Sequence, residues 1–274
     1  MPFADVPGAK LYYEEHGSGD PVVLISGLGG MLSYWKPQID ELSKNYRTIT
    51  FDQRGTGRSR AESEDCSLDL LANDLVALLD ALGLSDVSAV GHSTGGMLLQ
   101  VAALQHPHRF SRLILYGTRG GTDAFTRRAM GMRLDLLRSG GMEPFIRSTP
   151  IFLYPSWWIR ANEPTVDGAT ESVIRAAPSS KVAEGRILAV LKHDQLRELH
   201  RITQPTLIIC AHDDFLTPPY YSEELASLIP NAQLRYIEKG GHACSQVNPK
   251  AFNEVVNAFL LSRTQGQVPC DNRA

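Results

Sequence analysis

A serine set between glycines, Gly91-His92-Ser93-Thr94-Gly95, fits the pattern G-x-S-x-G, and Gly96 extends it. The pentapeptide follows the strand-like VSAV and opens into GGMLLQVAAL, so the serine sits on a strand–turn–helix junction. Such a turn leaves no room for bulky flanking side chains and holds the hydroxyl at a helix N-terminus, where amide dipoles favour developing negative charge. A serine hydroxyl is a poor nucleophile until a base removes its proton. Of the eight histidines, His242 is the candidate, because Lys239-Gly240-Gly241-His242-Ala243 is a glycine-flanked loop between the strand-like AQLRYIE and the helical AFNEVVNAFLL. His92 lies inside the turn, with its ring expected to point away from the Ser93 hydroxyl. His193 and His200 fall in a charged run and are expected at the surface.

A base needs an acid to fix its tautomer and to stabilise the imidazolium. In the chain order serine, acid, histidine, the acid falls after PTLIICA, where Asp213 and Asp214 stand side by side in HDDFLTP. An oxyanion formed by attack on a carbonyl needs two donors. Thr94 N–H follows the nucleophile directly, and the glycine-rich turn Ser26-Gly27-Leu28-Gly29-Gly30 offers Leu28 N–H. That turn lacks the Lys-Ser/Thr ending of a phosphate-binding loop. Asp52 and Arg54, in FDQRGTGRS, are expected to pin loops near the site rather than to react.

These residues need a scaffold. PVVLIS (21–26), YRTITF (46–51), VSAVGH (87–92), RLILYG (112–117), PTLIICA (205–211) and AQLRYIE (232–238) are short, apolar, β-branched runs, as expected of strands covered on both faces. Residues 68–84 and 94–107 carry apolar residues at helical spacing, with Gly83 and Pro107 at their ends. Strand alternating with helix predicts a mostly parallel central sheet flanked by helices, with AKLYYEEHG (9–17) as an antiparallel edge arm. From 118 to 200 the strands stop. This stretch is helical and aromatic and predicts a cap inserted after the sixth strand, leaving 1–117 and 201–262 as core and 263–274 as a loose tail.

Composition bounds the rest. The 274 residues suit one α/β domain with an insertion, and 27 basic against 30 acidic residues give a formal charge of −3, too small to recruit nucleic acid or an anionic membrane. The opening carries no secretory signal pattern, no apolar run reaches a membrane-spanning length, and the four cysteines have no metal-type spacing. A cytoplasmic protein is expected, with no cofactor or metal, a small-molecule substrate, and a homodimer as the default assembly.

SGLGG, FDQRGTGRS, GHSTGG, HDDFLTP and GGHA, in that order and spacing, resemble the α/β-hydrolase superfamily from about Leu11 to Leu261. The resemblance implies that Asp214 is the acid, since Asp-x-x-x-Pro with proline opening the next helix is the family's register, and leaves Asp213 as a loop residue. Within the superfamily, MPFADVPGAKLYYEEHG looks like the opening of 3-oxoadipate enol-lactonases. VVLISGLGG, SYWKPQ, FLYPSWW and GGHACSQVNP look like the aminoacrylate hydrolase of the Rut pyrimidine-degradation pathway. This implies small, polar, carboxylate-bearing substrates. Arg119, Arg127 and Arg128 are candidates to bind the carboxylate, and Trp157 and Trp158 to line the pocket. The implied reaction is cleavage of an ester, lactone or amide by Ser93, His242 and Asp214 through an acyl-enzyme. Carbon–carbon hydrolysis, perhydrolysis or a hydrolase-fold ligand receptor stand as alternatives.

Overall fold

A computed structural model of the chain describes residues 2–262; the expected tail at 263–274 lies outside them. Nine strands form one sheet: β1 (Phe3–Val6), β2 (Ala9–His16), β3 (Pro21–Ile25), β4 (Arg47–Phe51), β5 (Arg60–Ala61), β6 (Val87–His92), β7 (Phe110–Tyr116), β8 (Thr206–Ala211) and β9 (Ala232–Ile237). The order is β1-β2-β4-β3-β6-β7-β8-β9, with β5 pairing β2. The first two strands and β5 pair antiparallel, and β4-β3-β6-β7-β8-β9 is parallel throughout.

The central strands are covered on both faces, as their apolar runs require, and β6 and β8 are buried at every position. The expectation of burial on both faces fails for β9. It pairs with β8 alone at the sheet's edge, and only Ile237 of its six residues is buried.

The sheet divides the core. One cluster joins it to α2 (Leu68–Ala81) and α3 (Thr94–Gln105), the other to α1 (Lys36–Leu42) and α11 (Pro249–Leu261). Two further helices, α9 (Pro219–Leu228) and the short α10 (Cys244–Val247), flank β9 in sequence. Between β7 and β8 the chain forms only helices: α4 (Ala124–Gly140), α5 (Met142–Leu153), α6 (Ser156–Ala161), α7 (Glu163–Arg175), α8 (Ser180–Lys192) and a short 3-10 turn. With the two-residue β5 counted, this insertion follows the seventh strand rather than the sixth. Met130, Leu134, Phe145, Ile187 and Val190 from it join the same apolar cluster as α2 and α3, so burial holds the cap on the sheet.

Candidate active site

Ser93 sits between the end of β6 and the first residue of α3 with φ 54° and ψ −117°, the one non-glycine residue at positive φ among the described residues. Backbone held there stores about 1–3 kcal/mol of strain. The neighbours that allow it are glycines. A Cβ on Gly91 would lie 2.6 Å from Gly95 O, and one on Gly95 would lie 2.3 Å from Ile25 O, so α3 approaches β6 and β3 at backbone contact. Ser93 N–H donates to Tyr116 O at 2.8 Å, and the Thr118 hydroxyl donates to Ser93 O at 2.7 Å.

The half-buried Ser93 Oγ lies 2.9 Å from His242 Nε2, and His242 Nδ1 lies 2.9 Å from Asp214 Oδ2. His242 and Asp214 are both buried. The Asp214 carboxylate also accepts Leu216 N–H and Thr217 N–H on Oδ1, each at 2.8 Å, and the Thr217 hydroxyl on Oδ2 at 2.7 Å. Those bonds fix the carboxylate plane toward the imidazole. Asp213 turns the other way: its Oδ1 accepts Gly240 N–H and Gly241 N–H, each at 2.8 Å, and so ties down the loop that carries His242. The two adjacent acids thus do different jobs.

His242 is also held from beneath. Its carbonyl accepts the Tyr116 hydroxyl at 2.7 Å and lies 3.1 Å from His92 Nε2. The His92 ring points away from Ser93 and stacks on Tyr34 and Tyr116, with centroids 4.5 Å away on each side. Burial first, and then the neighbouring His242, push its pKa well down; the neutral ring donates from Nε2 to that carbonyl.

Gly27 places the glycine-rich turn against Ser93, since a Cβ on it would meet Ser93 Cβ at 3.2 Å. Leu28 N–H has no acceptor among the described residues. Thr94 N–H opens α3, where no intrahelical acceptor exists. Asp52 receives Leu32 N–H and Arg58 N–H, and Arg54 forms a buried two-bond pair with Asp74.

The pocket candidates separate. A cavity of ≈ 340 Å³ lies beside His242, lined by Phe152, Tyr154, Trp157 and Phe215 among others. Trp158 is not in its wall and stacks on Tyr154 at 4.5 Å. Arg119 is buried near the Tyr221 ring, with Nε and Nη2 unpartnered. Burial lowers its pKa to about 10. Arg127 and Arg128 are exposed and fold back onto Thr122 O and Ala124 O. The surface position expected of His193 is wrong. It is buried, with Nε2 3.3 Å from Gln100 Oε1, because the end of α8 packs onto α3. Among the described residues no group of three or more His, Cys, Asp or Glu is placed to hold a metal ion, and no helix is long and apolar enough to cross a membrane.

Two residues of the site carried no signal in sequence. One is Thr217, whose hydroxyl donates to Asp214 Oδ2 and lies 3.0 Å from His242 Nδ1. The second is Arg186 on α8, which is buried and donates from Nε to Leu28 O at 2.6 Å and from Nη2 to Gly27 O at 3.2 Å and Gln53 Oε1 at 2.5 Å.

The chain is 36% identical to the provisionally named carbamate hydrolase RutD of Azorhizobium caulinodans, over 94% of this chain and 98% of that one. The enol-lactonase of Burkholderia xenovorans LB400 superposes with a TM-score of 0.88 over 95% of this chain and 100% of its own, at 24% identity. The malate-bound thermophilic esterase of Thermogutta terrifontis gives 0.84 over 95% of this chain and 96% of its own, at 25% identity. The family model for the alpha/beta hydrolase fold matches residues 20–249. With this parallel sheet and a family match over most of its length, the chain belongs to the alpha/beta hydrolase fold family.

Proposed function

We propose that the enzyme is a serine hydrolase that cleaves an ester, lactone or amide bond of a small carboxylate-bearing substrate through an acyl-enzyme. The reading rests on one observation, the unbroken chain of 2.9 Å contacts from Ser93 Oγ through His242 to Asp214. In it, Ser93 Oγ attacks the carbonyl carbon as His242 Nε2 takes its proton, and Asp214 stabilises the imidazolium. The oxyanion forms against Leu28 N–H and Thr94 N–H. Collapse expels the leaving group, which takes the proton from His242. Water then attacks the acyl-enzyme in the same way and releases Ser93.

The carboxylate-bearing substrate is supported by Arg119. Its guanidinium is buried without a carboxylate partner among the described residues, and it begins two residues after Gly117, which lies against His242 and Asp214. A buried cation with free N–H groups is costly unless an anion meets it. The malate held by the Thermogutta esterase is an anion of this kind. A carbamate, named for the RutD relative, presents a carbonyl bonded to both oxygen and nitrogen, inside the proposed class.

The test is turnover of short-chain p-nitrophenyl esters by the wild type and by Ser93→Ala, with circular dichroism on both. The expected result is activity reduced about 10⁴-fold or more in a folded variant. Equal turnover by folded Ser93→Ala overturns the mechanism.

A further inference from the structure

Arg186 belongs to the cap, yet its hydrogen bonds go to the two core loops that follow β3 and β4, the first of which lies next to the Ser93 turn. It is 1% exposed, and no carboxylate pairs with it among the described residues. Burial lowers its pKa only to about 10, so the guanidinium stays charged at neutral pH. Its acceptors are the consecutive carbonyls of Gly27 and Leu28, and Gln53 extends the set: Gln53 Oε1 accepts from Arg186, and Gln53 Nε2 donates to Ser26 O at 2.7 Å. Three successive peptide carbonyls are therefore pulled to one side of the turn.

Within a trans peptide unit the C=O and N–H point in opposite directions. Anchoring Gly27 O through Arg186 thus fixes the direction of Leu28 N–H, the donor assigned above to the oxyanion. The same contact polarises that peptide, because a cation on the carbonyl strengthens the N–H at the other end. Gly30 N–H closes the turn onto Gly27 O at 3.0 Å but carries no charge.

We infer that Arg186 is a positioning residue for the oxyanion hole, acting with Gln53 through the Gly27 and Leu28 carbonyls, so that the seating of α8 and the aim of Leu28 N–H are one structural unit. The inference rests on the serine mechanism proposed above. A carbonyl cluster of this kind needs a planar fork of donors, which a lysine ammonium does not supply.

The experiment measures kcat and KM for p-nitrophenyl acetate in wild type, Ser93→Ala, Arg186→Met, Arg186→Lys and Gln53→Leu. It adds the rate at which a fluorophosphonate labels Ser93, since its P=O enters the oxyanion position. Loosening a donor should cost less than the 10²–10³-fold known for deleting one. The expected result for Arg186→Met is a fall of about 10–100-fold in both kcat and labelling rate. KM should stay within about three-fold, and the acidic limb of the pH profile should not move, because His242 is untouched. Arg186→Lys recovers only part of the loss, and Gln53→Leu shows a smaller fall of the same kind. If removing the buried Arg186 prevents folding, Gln53→Leu, which leaves the cap intact, carries the test. Unchanged kcat in folded Arg186→Met or, failing that, in Gln53→Leu, or a rise in KM alone, overturns the inference. Full activity in Ser93→Ala would instead overturn the serine mechanism beneath it.

Discussion

Thr217 shares the bond between His242 and Asp214 from the side. Its hydroxyl has one proton, donated to Asp214 Oδ2 at 2.7 Å, and its oxygen lies 3.0 Å from His242 Nδ1. The imidazole N–H is therefore shared between a carboxylate oxygen and a hydroxyl oxygen already polarised by that carboxylate. Thr217→Val keeps the shape and removes both roles. Asp214 retains the Leu216 and Thr217 amides on Oδ1, so its carboxylate stays held but is free to rotate off the imidazole plane. The expected outcome is a kcat about ten-fold lower with a loss of roughly 1 kcal/mol in stability, the usual net worth of one hydrogen bond. Ester turnover and urea unfolding check it, and unchanged values for both would show that the amides alone orient the acid. Asp213 makes the complementary point. Next to Asp214 in sequence, it serves the loop amides of Gly240 and Gly241, so the direction of a side chain, and not the presence of an acid, assigns its role.

At the scale of elements, the junction of β6 with α3 sets the tolerance of the whole site. Gly95 sits where the first turn of α3 meets the carbonyl ends of β3, and its missing Cβ would lie 2.3 Å from Ile25 O and 2.5 Å from Ser26 O. Both are backbone atoms that cannot swing aside. Gly95→Ala should cost more than about 3 kcal/mol, or give insoluble protein, because relief requires α3 to move off the sheet and carry Ser93 with it. Gly131→Ala on α4 is the contrast. Nothing lies within 4 Å of its Cβ position and its φ is not positive, so the same substitution should stabilise by about 0.5–1 kcal/mol. Thermal unfolding of the two variants measures the difference. Elements of this kind were legible in sequence because the constraint is local. Only glycine fits the crossing at residues 91 and 95, and β6 and β8 read as strands because both their faces are covered. β9 reads differently in the structure, since apolar residues at Leu234, Tyr236 and Ile237 do not reveal that no further strand pairs beyond it. Arg186 was illegible for a different reason. An arginine in SKVAEGRILAVLK has the pattern of a solvated face, and only the packing of α8 over the Gly27–Leu28 turn makes it a buried donor.

At the scale of the whole molecule, the cap is joined to the sheet by apolar burial and by a few buried polar contacts, and one of these titrates. His193, just past the end of α8, lies 3.3 Å from Gln100 of α3, whose amide in turn donates to Arg119 O at 3.1 Å. Burial first, and then the charge of Arg119, lower its pKa to about 4, against the smaller opposing effects of the Arg119 backbone and of Asp194. In the unfolded chain the same imidazole titrates near the ordinary histidine value of about 6.5. Above that value neither state is protonated at His193, and the full stability is present. As pH falls from about 6.5 toward about 4, the unfolded state binds a proton that the folded state does not, so stability falls by an amount on the order of 3 kcal/mol and then levels off. His92, buried and also depressed, acts with the same sign. His193→Gln keeps a hydrogen-bond donor for Gln100 and removes the titration. Urea unfolding across this range should therefore show a clearly shallower decline in the variant than in the wild type, with the remaining slope due in part to His92. Parallel curves for the two proteins would place His193 in water at the moment of protonation, and the contact between α8 and α3 would then be one that opens freely.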